Sequence, residues 1–420
     1  MRWATVTAAG LLLASPLVWW SWHREVMPPP QAAPSAVVTP AAVPPTVLPS
    51  VQPASAPPLV DAVPAASVLR AAATTAASEP AASAAGDDGR LEVCGHGRVH
   101  PYELARVMPD EVRFETQGRL IPALLRGSER ERVVGLLLGI WLEADMAQFG
   151  PMRACGENVD CMIRLAPLRH APQRQALEAL VQTALGSADP WTYGMVVSYA
   201  CHYGTANACA ALTPEGWQQR APDDAAPWLW SASLAQERKD EAAVHSAIAQ
   251  ASRKPRLSDP WGAVLGPLLA LPEVRALTPL ARVELLIGSI RVMASLPGQV
   301  SVGASHCSKA ALSAQDRRES CEALARLFVE QAPTMLHLGV GRRMGERLDW
   351  PPERQRMLDG EVRDLQNLIT VAMPPEAMLS CQGIATFERH FADQVALGEV
   401  GALRKLRAAR AAAASAAPSK

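Results

Sequence analysis

Cysteine and histidine are the residue types in this chain whose spacing could carry chemistry. Cys94-Gly-His96-Gly-Arg-Val-His100, together with Cys201-His202, offers thiolates and imidazoles, which are the ligands that zinc prefers. Tight zinc sites usually show C-x2-4-C pairs, whereas the two nearest cysteines here have five residues between them. A C-x-x-C pair, which thiol redox chemistry favours, is also absent. The sequence therefore predicts neither a metal nor another cofactor.

Signatures of hydrolases, zinc proteases and nucleotide-binding enzymes are absent from the sequence. Two carboxylate pairs, Glu143 with Asp145 and Asp359 with Glu361, have the chemistry of a general acid and base. Such pairs on charged helix faces are usually solvated, and only the first pair follows a fully apolar run. We therefore expect no catalytic residues and no enzyme.

The cysteines are better explained as disulfides, because all eight lie beyond residue 90 and several are close together. An oxidising compartment would keep them paired, and each closure stabilises a fold by about 2–4 kcal/mol. Other connectivities stay open, since spacing alone does not determine them. The expected pairs are Cys155 with Cys161, Cys201 with Cys209, Cys307 with Cys321, and Cys94 with Cys381.

Helical signals dominate the folded part of the chain and predict an all-α domain. Ser128-Glu-Arg-Glu131 is a capping box before the apolar run 133–142, and Ser313-Ala-Gln-Asp316 is a weaker one. Pro279 and Pro352 each suit the first turn of a helix. We interpret the glycines of the motif Gly339-Val-Gly341-Arg-Arg-Met-Gly345 as positions of close helix packing.

Three helices are predicted to begin alike, with a proline directly before Trp191, Trp228 and Trp261. The spacings of 37 and 33 residues are typical of helix-turn-helix repeats. We expect these three aromatic residues to fill the junctions between successive hairpins.

The middle unit, residues 222–252, resembles a tetratricopeptide repeat. Its tryptophan is Trp228, its polar turn is Lys239-Asp240, and Lys239 departs from the Gly or Asn usual in the family. The small and bulky packing positions of the two helices correspond to Ala232, Ala235, Val244, Ile248 and Ala251. The resemblance implies helical hairpins over 187–272 and the binding of a partner protein. The alternative is that the hairpins only build a compact helical domain.

The N-terminus has the layout of a membrane anchor followed by a spacer. The run Trp3–Trp22 is uncharged and is as long as a membrane-spanning helix requires, although a cleaved signal peptide is the competing interpretation. The tract that follows is rich in Pro and Ala and cannot bury a core. The expected organisation is an anchor (1–25), a disordered linker (26–89), a disulfide-braced helical domain (90–408) and a disordered tail (409–420).

These features predict a single-pass inner-membrane protein with its folded domain in the periplasm. Because the net charge is −1 and no large basic patch is present, nucleic acid is not an expected partner. The expected function is a protein-interaction or scaffolding module, held at the membrane by its N-terminal helix. The alternative is an all-α cell-envelope enzyme with a carboxylate-based site.

Overall fold

The structure is a computed structural model, and it describes residues 89–107, 110–155, 161, 174–203, 210–258, 264–294, 300–372 and 377–416. The predicted anchor and nearly all of the predicted linker lie outside these residues. No helix in the described part of the chain combines the length and the apolar character needed to cross a bilayer.

The described residues are mostly helical, as the sequence predicts, with one short hairpin of two antiparallel strands before the helices. The strands are β1 (Leu91–Val93) and β2 (Gly97–Val99). The helices are α1 (Leu104–Val107), α2 (Asp110–Arg126), α3 (Glu129–Cys155), α4 (Arg174–Gly186), α5 (Pro190–Tyr203), α6 (Pro214–Arg220), α7 (Ala226–Glu237), α8 (Glu241–Ala251), α9 (Leu265–Ala270), α10 (Pro272–Arg275), α11 (Pro279–Ala294), α12 (Val300–His306), α13 (Gln315–Glu330), α14 (Met335–Arg347), α15 (Pro352–Ala372) and α16 (Cys381–Ala416). Two 3-10 turns cover Pro101–Glu103 and Lys309–Ser313.

Most helix starts follow the signals in the sequence. The Ser128 amide donates to Glu131 Oε2 over 2.5 Å, which is one half of the predicted capping box before α3. Helices α11 and α15 begin at Pro279 and Pro352. The predicted box at Ser313 is wrong, because α13 begins at Gln315 with Ala314 as its N-cap residue and the Ser313 hydroxyl donates to Ala310 O instead.

Two hydrophobic cores hold the helices together. The first core contains buried side chains of α2–α5 and α11, including Leu124, Leu137 and Val283, together with Phe387 near the start of α16. The second core contains buried side chains of α8 and α12–α15, together with Leu403 further along α16. Helix α7 contributes to both cores, with Trp230 in the first and Leu229 in the second. Helices α7 and α16 therefore connect the two halves of the domain.

Helix α16 is broken at Gly398, whose φ of 73° lies in the left-handed region that favours glycine. At this break the Glu399 amide donates to Pro333 O over 2.8 Å, and the Glu399 carboxylate accepts from the Met335 amide, also at 2.8 Å. The break therefore caps the start of α14. The helix then continues to Ala416, past residue 409, where the sequence predicts that the tail begins. The alanines of this segment have the highest helix propensity of any residue type.

Lys239 is a strained residue at the end of α7. Its φ of 59° is in the left-handed region, and the Asp240 amide donates to Ala235 O over 3.0 Å, as in a helix-ending Schellman motif. We expect Lys239→Gly to raise the free energy of unfolding by about 0.5–1 kcal/mol, because glycine adopts this conformation without a Cβ clash. Urea unfolding measures the change. Lys239→Ala, which keeps the Cβ, should give no gain, and an equal gain in both variants would contradict the strain argument.

Candidate protein-binding groove

Helices α7 and α8 form the hairpin that resembles a tetratricopeptide unit. All five positions that the resemblance assigns to packing are buried: Ala232, Ala235, Val244, Ile248 and Ala251. The Asp240 side chain caps α8 by accepting from the Ala243 amide at 3.0 Å. The buried carboxylate of Asp224 accepts from the Ala226 and Ser258 amides at 2.9 and 3.0 Å. Asp224 therefore links the start of the hairpin to the segment that follows α8.

The structure describes two of the three predicted junction tryptophans. Trp191 lies in the first turn of α5 and packs against the first core, while Trp228 lies in the first turn of α7 and packs against the second. Each has a cation near its ring, Arg130 at 5.3 Å and Lys254 at 5.4 Å from the respective centroid. Trp261 lies outside the described residues. The two described tryptophans therefore start their helices in the same way, but they pack against different cores.

An open groove of about 420 Å³ lies between the segment after α8 and one face of α13. Its lining includes Lys254 on one side, and Glu319, Glu322, Arg326 and Glu330 of α13 on the other. Helix α13 packs against α14 as a second hairpin. This α8–α13 groove is therefore lined by the segment that follows one hairpin and by a helix of another, and its walls combine charged with apolar side chains.

The charges along the α8–α13 groove are partly paired. Glu322 accepts from Arg326 Nε at 3.0 Å and from Trp350 Nε1 at 2.6 Å, and the Arg354 guanidinium lies 3.7 Å from the Trp350 ring centroid. Lys254 Nζ donates to a backbone carbonyl, Pro222 O, at 2.8 Å. The lining carries three carboxylates against two cations, and the resulting negative excess is offset in part by Arg354, which lies 4.0 Å from Glu330. Such a surface complements a segment of polypeptide that carries Lys or Arg.

Three disulfides lie within the described part of the chain, and each joins two cysteines that the spacing pairs: Cys94–Cys381, Cys155–Cys161 and Cys307–Cys321. The fourth expected pair includes Cys209, which lies outside the described residues. Because Cys94 is bonded to Cys381, its sulfur is not free to bind a metal beside His96, and the His96 side chain is exposed.

Three of the four carboxylates singled out in the sequence have described side chains. Asp359 accepts from Arg342, and Glu361 accepts from Arg404 Nε at 2.9 Å, so both serve as ion-pair partners between helices. Glu143 is exposed on α3. The structure does not describe the side chain of its partner, Asp145.

Sequence reasoning missed a cluster of two imidazoles and a carboxylate beside the groove. His245 of α8 has its Nδ1 3.4 Å from Nε2 of His306 in α12, and its Nε2 3.2 Å from Oδ2 of Asp316 in α13. His306 is buried, with 9% of its surface exposed, whereas His245 and Asp316 reach solvent. No local signal could have found this cluster, because its residues are far apart in the chain and meet only after three helices pack.

The environment of His306 makes stability depend on pH. Burial, assisted by the positive charge of Arg317, lowers the pKa of His306 to about 4 from its ordinary value of 6.5, against an opposing effect of Asp316. Between these values the unfolded chain binds the proton and the folded chain does not. The free energy of unfolding should therefore fall as the pH is lowered from 6.5 to 4, with no further loss from this group below about pH 4.

Urea unfolding between pH 7.5 and 4, with EDTA present, measures this dependence. The variant His306→Gln cannot take up a proton, so its stability should vary less steeply with pH in the same window. Equal slopes for the variant and the unmodified protein would contradict the assignment to His306.

Comparison with known proteins gives no relative for this chain: no protein-family model, no curated protein and no solved structure matches it.

Proposed function

We propose that this chain is a membrane-anchored periplasmic protein whose helical domain binds a partner protein in the α8–α13 groove. The observation that carries the proposal is the groove itself, which is open, is bordered by charged side chains and lies between two hairpins. A groove between helices accepts an extended segment of another protein without rearrangement of either core. Its excess negative charge favours a segment that carries Lys or Arg, and long-range attraction of this kind raises association rates.

The tetratricopeptide-like hairpin supports the same proposal. The resemblance implies a binding surface between helices, and α7 and α8 form an antiparallel hairpin in which the packing positions of the family are buried. A repeat must stack on neighbours to bury its core. Here α8 packs against α12 and α13. We propose that the α13–α14 hairpin takes the place of the next repeat, with the α8–α13 groove between them.

The proposed location rests on the N-terminus and the cysteines together. The uncharged run Trp3–Trp22 is about the 20 residues needed to span a bilayer. The three disulfides all lie beyond residue 90, and such bonds persist in oxidising compartments such as the bacterial periplasm. The Pro- and Ala-rich tract between the uncharged run and the helical domain would hold the domain away from the membrane surface.

The alternative, an all-α cell-envelope enzyme with a carboxylate-based site, would require a carboxylate free to exchange protons with a substrate. Glu322 has its two oxygens occupied by Arg326 and Trp350, as expected of a structural group. The groove therefore supports binding better than catalysis.

Site-directed crosslinking in intact envelopes tests the proposal. A photoreactive amino acid replacing Ala323, which lines the groove, should crosslink one dominant protein. The same amino acid replacing Ala411, an exposed residue of α16, should not capture that protein. Equal capture from both positions would overturn the assignment of the groove.

Charge reversal gives the matching functional test. The double variant Glu319→Lys/Glu330→Lys should lower recovery of the crosslinked partner at least tenfold, about 1.4 kcal/mol, because it repels a basic segment. The control Glu115→Lys/Glu178→Lys makes the same charge change at exposed positions of α2 and α4 and should leave recovery unchanged. Loss of a hydrolytic activity instead, in a variant that still captures the partner, would favour the enzyme.

A further inference from the structure

His245, His306 and Asp316 meet where α8, α12 and α13 pack together, and the disulfide Cys307–Cys321 also joins the end of α12 to α13. The two imidazole rings have their centroids 5.5 Å apart and are inclined by 35°. The nitrogens that face each other, His245 Nδ1 and His306 Nε2, are 3.4 Å apart. This separation is longer than the usual N–H···acceptor distance of about 2.9–3.0 Å, so the contact is a poor hydrogen bond.

We propose that His245 and His306 are two ligands of a divalent transition-metal ion of the class that prefers imidazole, such as Zn²⁺, Cu²⁺ or Ni²⁺. Two nitrogens held about 2.0–2.1 Å from a tetrahedral metal lie about 3.4 Å from each other, which is the separation of these two atoms. The ion would therefore fit between rings that already face each other.

Asp316 occupies the position of an outer-shell partner. Its Oδ2 is 3.2 Å from His245 Nε2, so this nitrogen carries the proton and donates it to the carboxylate. The Nδ1 atom is then left with its lone pair directed toward His306. Carboxylates that orient metal-binding histidines in this way also make the imidazole a better donor.

Charges of both signs act on the histidine pair. The positive charge of Arg317 acts on His306 and opposes a metal, while the Asp316 carboxylate offsets it. Within the described residues, no group of three or more His, Cys, Asp or Glu side chains is placed to hold an ion. Water would therefore complete the coordination, entering where His245 and Asp316 are exposed.

A bound ion would join α8, α12 and α13 at one point. His245 near the start of α8 contacts Asp316 near the start of α13. Residues further along both segments line the α8–α13 groove. The metal would thus fix the spacing of the two walls of the groove. The inference stands on the geometry of the histidines and does not depend on what the groove binds.

Titration of the untagged full-length chain in detergent, with its disulfides intact, tests the site. Adding ZnCl₂ after removal of metal by EDTA should raise the midpoint of thermal unfolding, since an ion that binds the folded chain stabilises it. His245→Gln should abolish the shift, and Asp316→Asn should weaken zinc affinity about 10- to 100-fold. The matched control is His390→Gln, a partly buried histidine in contact with Gln394, and it should keep the full shift.

Spectroscopy separates the proposed pair from binding elsewhere. With CuSO₄ added at one equivalent, electron paramagnetic resonance should show two nitrogen ligands in the unmodified protein and at most one in His245→Gln. Because His245 is partly exposed, its variant keeps the buried packing around His306 intact. Absence of any zinc-induced shift in the unmodified chain, or the same shift in His245→Gln, would overturn the site and leave the two rings as packing neighbours.

Discussion

Removal of the Cys94–Cys381 disulfide should cost about 5–6 kcal/mol in the free energy of unfolding, by the chain-entropy relation for long loops. The bond joins residues 287 positions apart in the sequence. It fastens the β1–β2 hairpin to the start of α16, where the Cys94 amide also donates to Leu379 O over 2.9 Å. Without this bond the unfolded chain gains many conformations, because a long loop is opened. The folded chain gains few, because α16 is held in place by both cores. Urea unfolding of Cys94→Ser/Cys381→Ser measures the loss.

The chain supplies its own control for this prediction. Cys155 and Cys161 are separated by only 6 positions, so Cys155→Ser/Cys161→Ser should cost about 2 kcal/mol by the same relation. The dependence of unfolding on urea concentration should also steepen for the long-loop variant, whose unfolded state exposes more surface. Equal losses for the two double variants would show that local contacts, and not loop entropy, set the contribution of the long bridge.

The fold was predictable where the signals were local. The capping box at Ser128, the prolines at positions 279 and 352 and the pairing of nearby cysteines each depend on residues within a few turns of one another. The β1–β2 hairpin was not expected, because three residues per strand are too few to show an alternating pattern. The start of α13 was misplaced by one residue, because Ser313 bonds back to Ala310 and is unavailable as a cap.

The candidate site was less predictable than the fold. The sequence singled out Glu361 and Asp359 for their chemistry, but the structure uses both as ion-pair partners between helices. The sequence gives no signal for His245, although His306 and Asp316 both contact it. A single histidine on a helix has no recognisable pattern, because its partners are determined by the packing of α8, α12 and α13.

The second large loss of stability is expected from a substitution in the glycine motif of α14. A Cβ placed at Gly341 would lie 2.9 Å from Phe328 Cβ and 3.1 Å from the Ala325 carbonyl oxygen, both in α13. Neither atom can move away by rotation of a flexible side chain, so Gly341→Ala must push α13 and α14 apart. Overpacking of this kind costs about 1–3 kcal/mol. We expect a loss near the upper end of this range, measured by urea unfolding, because a backbone atom is among those displaced.

Gly339 is the exception in this motif, because no atom among the described residues would lie within 4 Å of its added Cβ, and it is therefore the matched control within the same helix. Gly339→Ala should therefore stabilise the protein by up to about 1 kcal/mol through helix propensity alone. The two substitutions add the same methyl group two residues apart and are expected to act in opposite directions. Since α13 also forms one wall of the α8–α13 groove, Gly341→Ala should reduce crosslinking from position 323 while Gly339→Ala preserves it. Stabilisation by both substitutions would contradict the interpretation of this motif as a site of close helix packing.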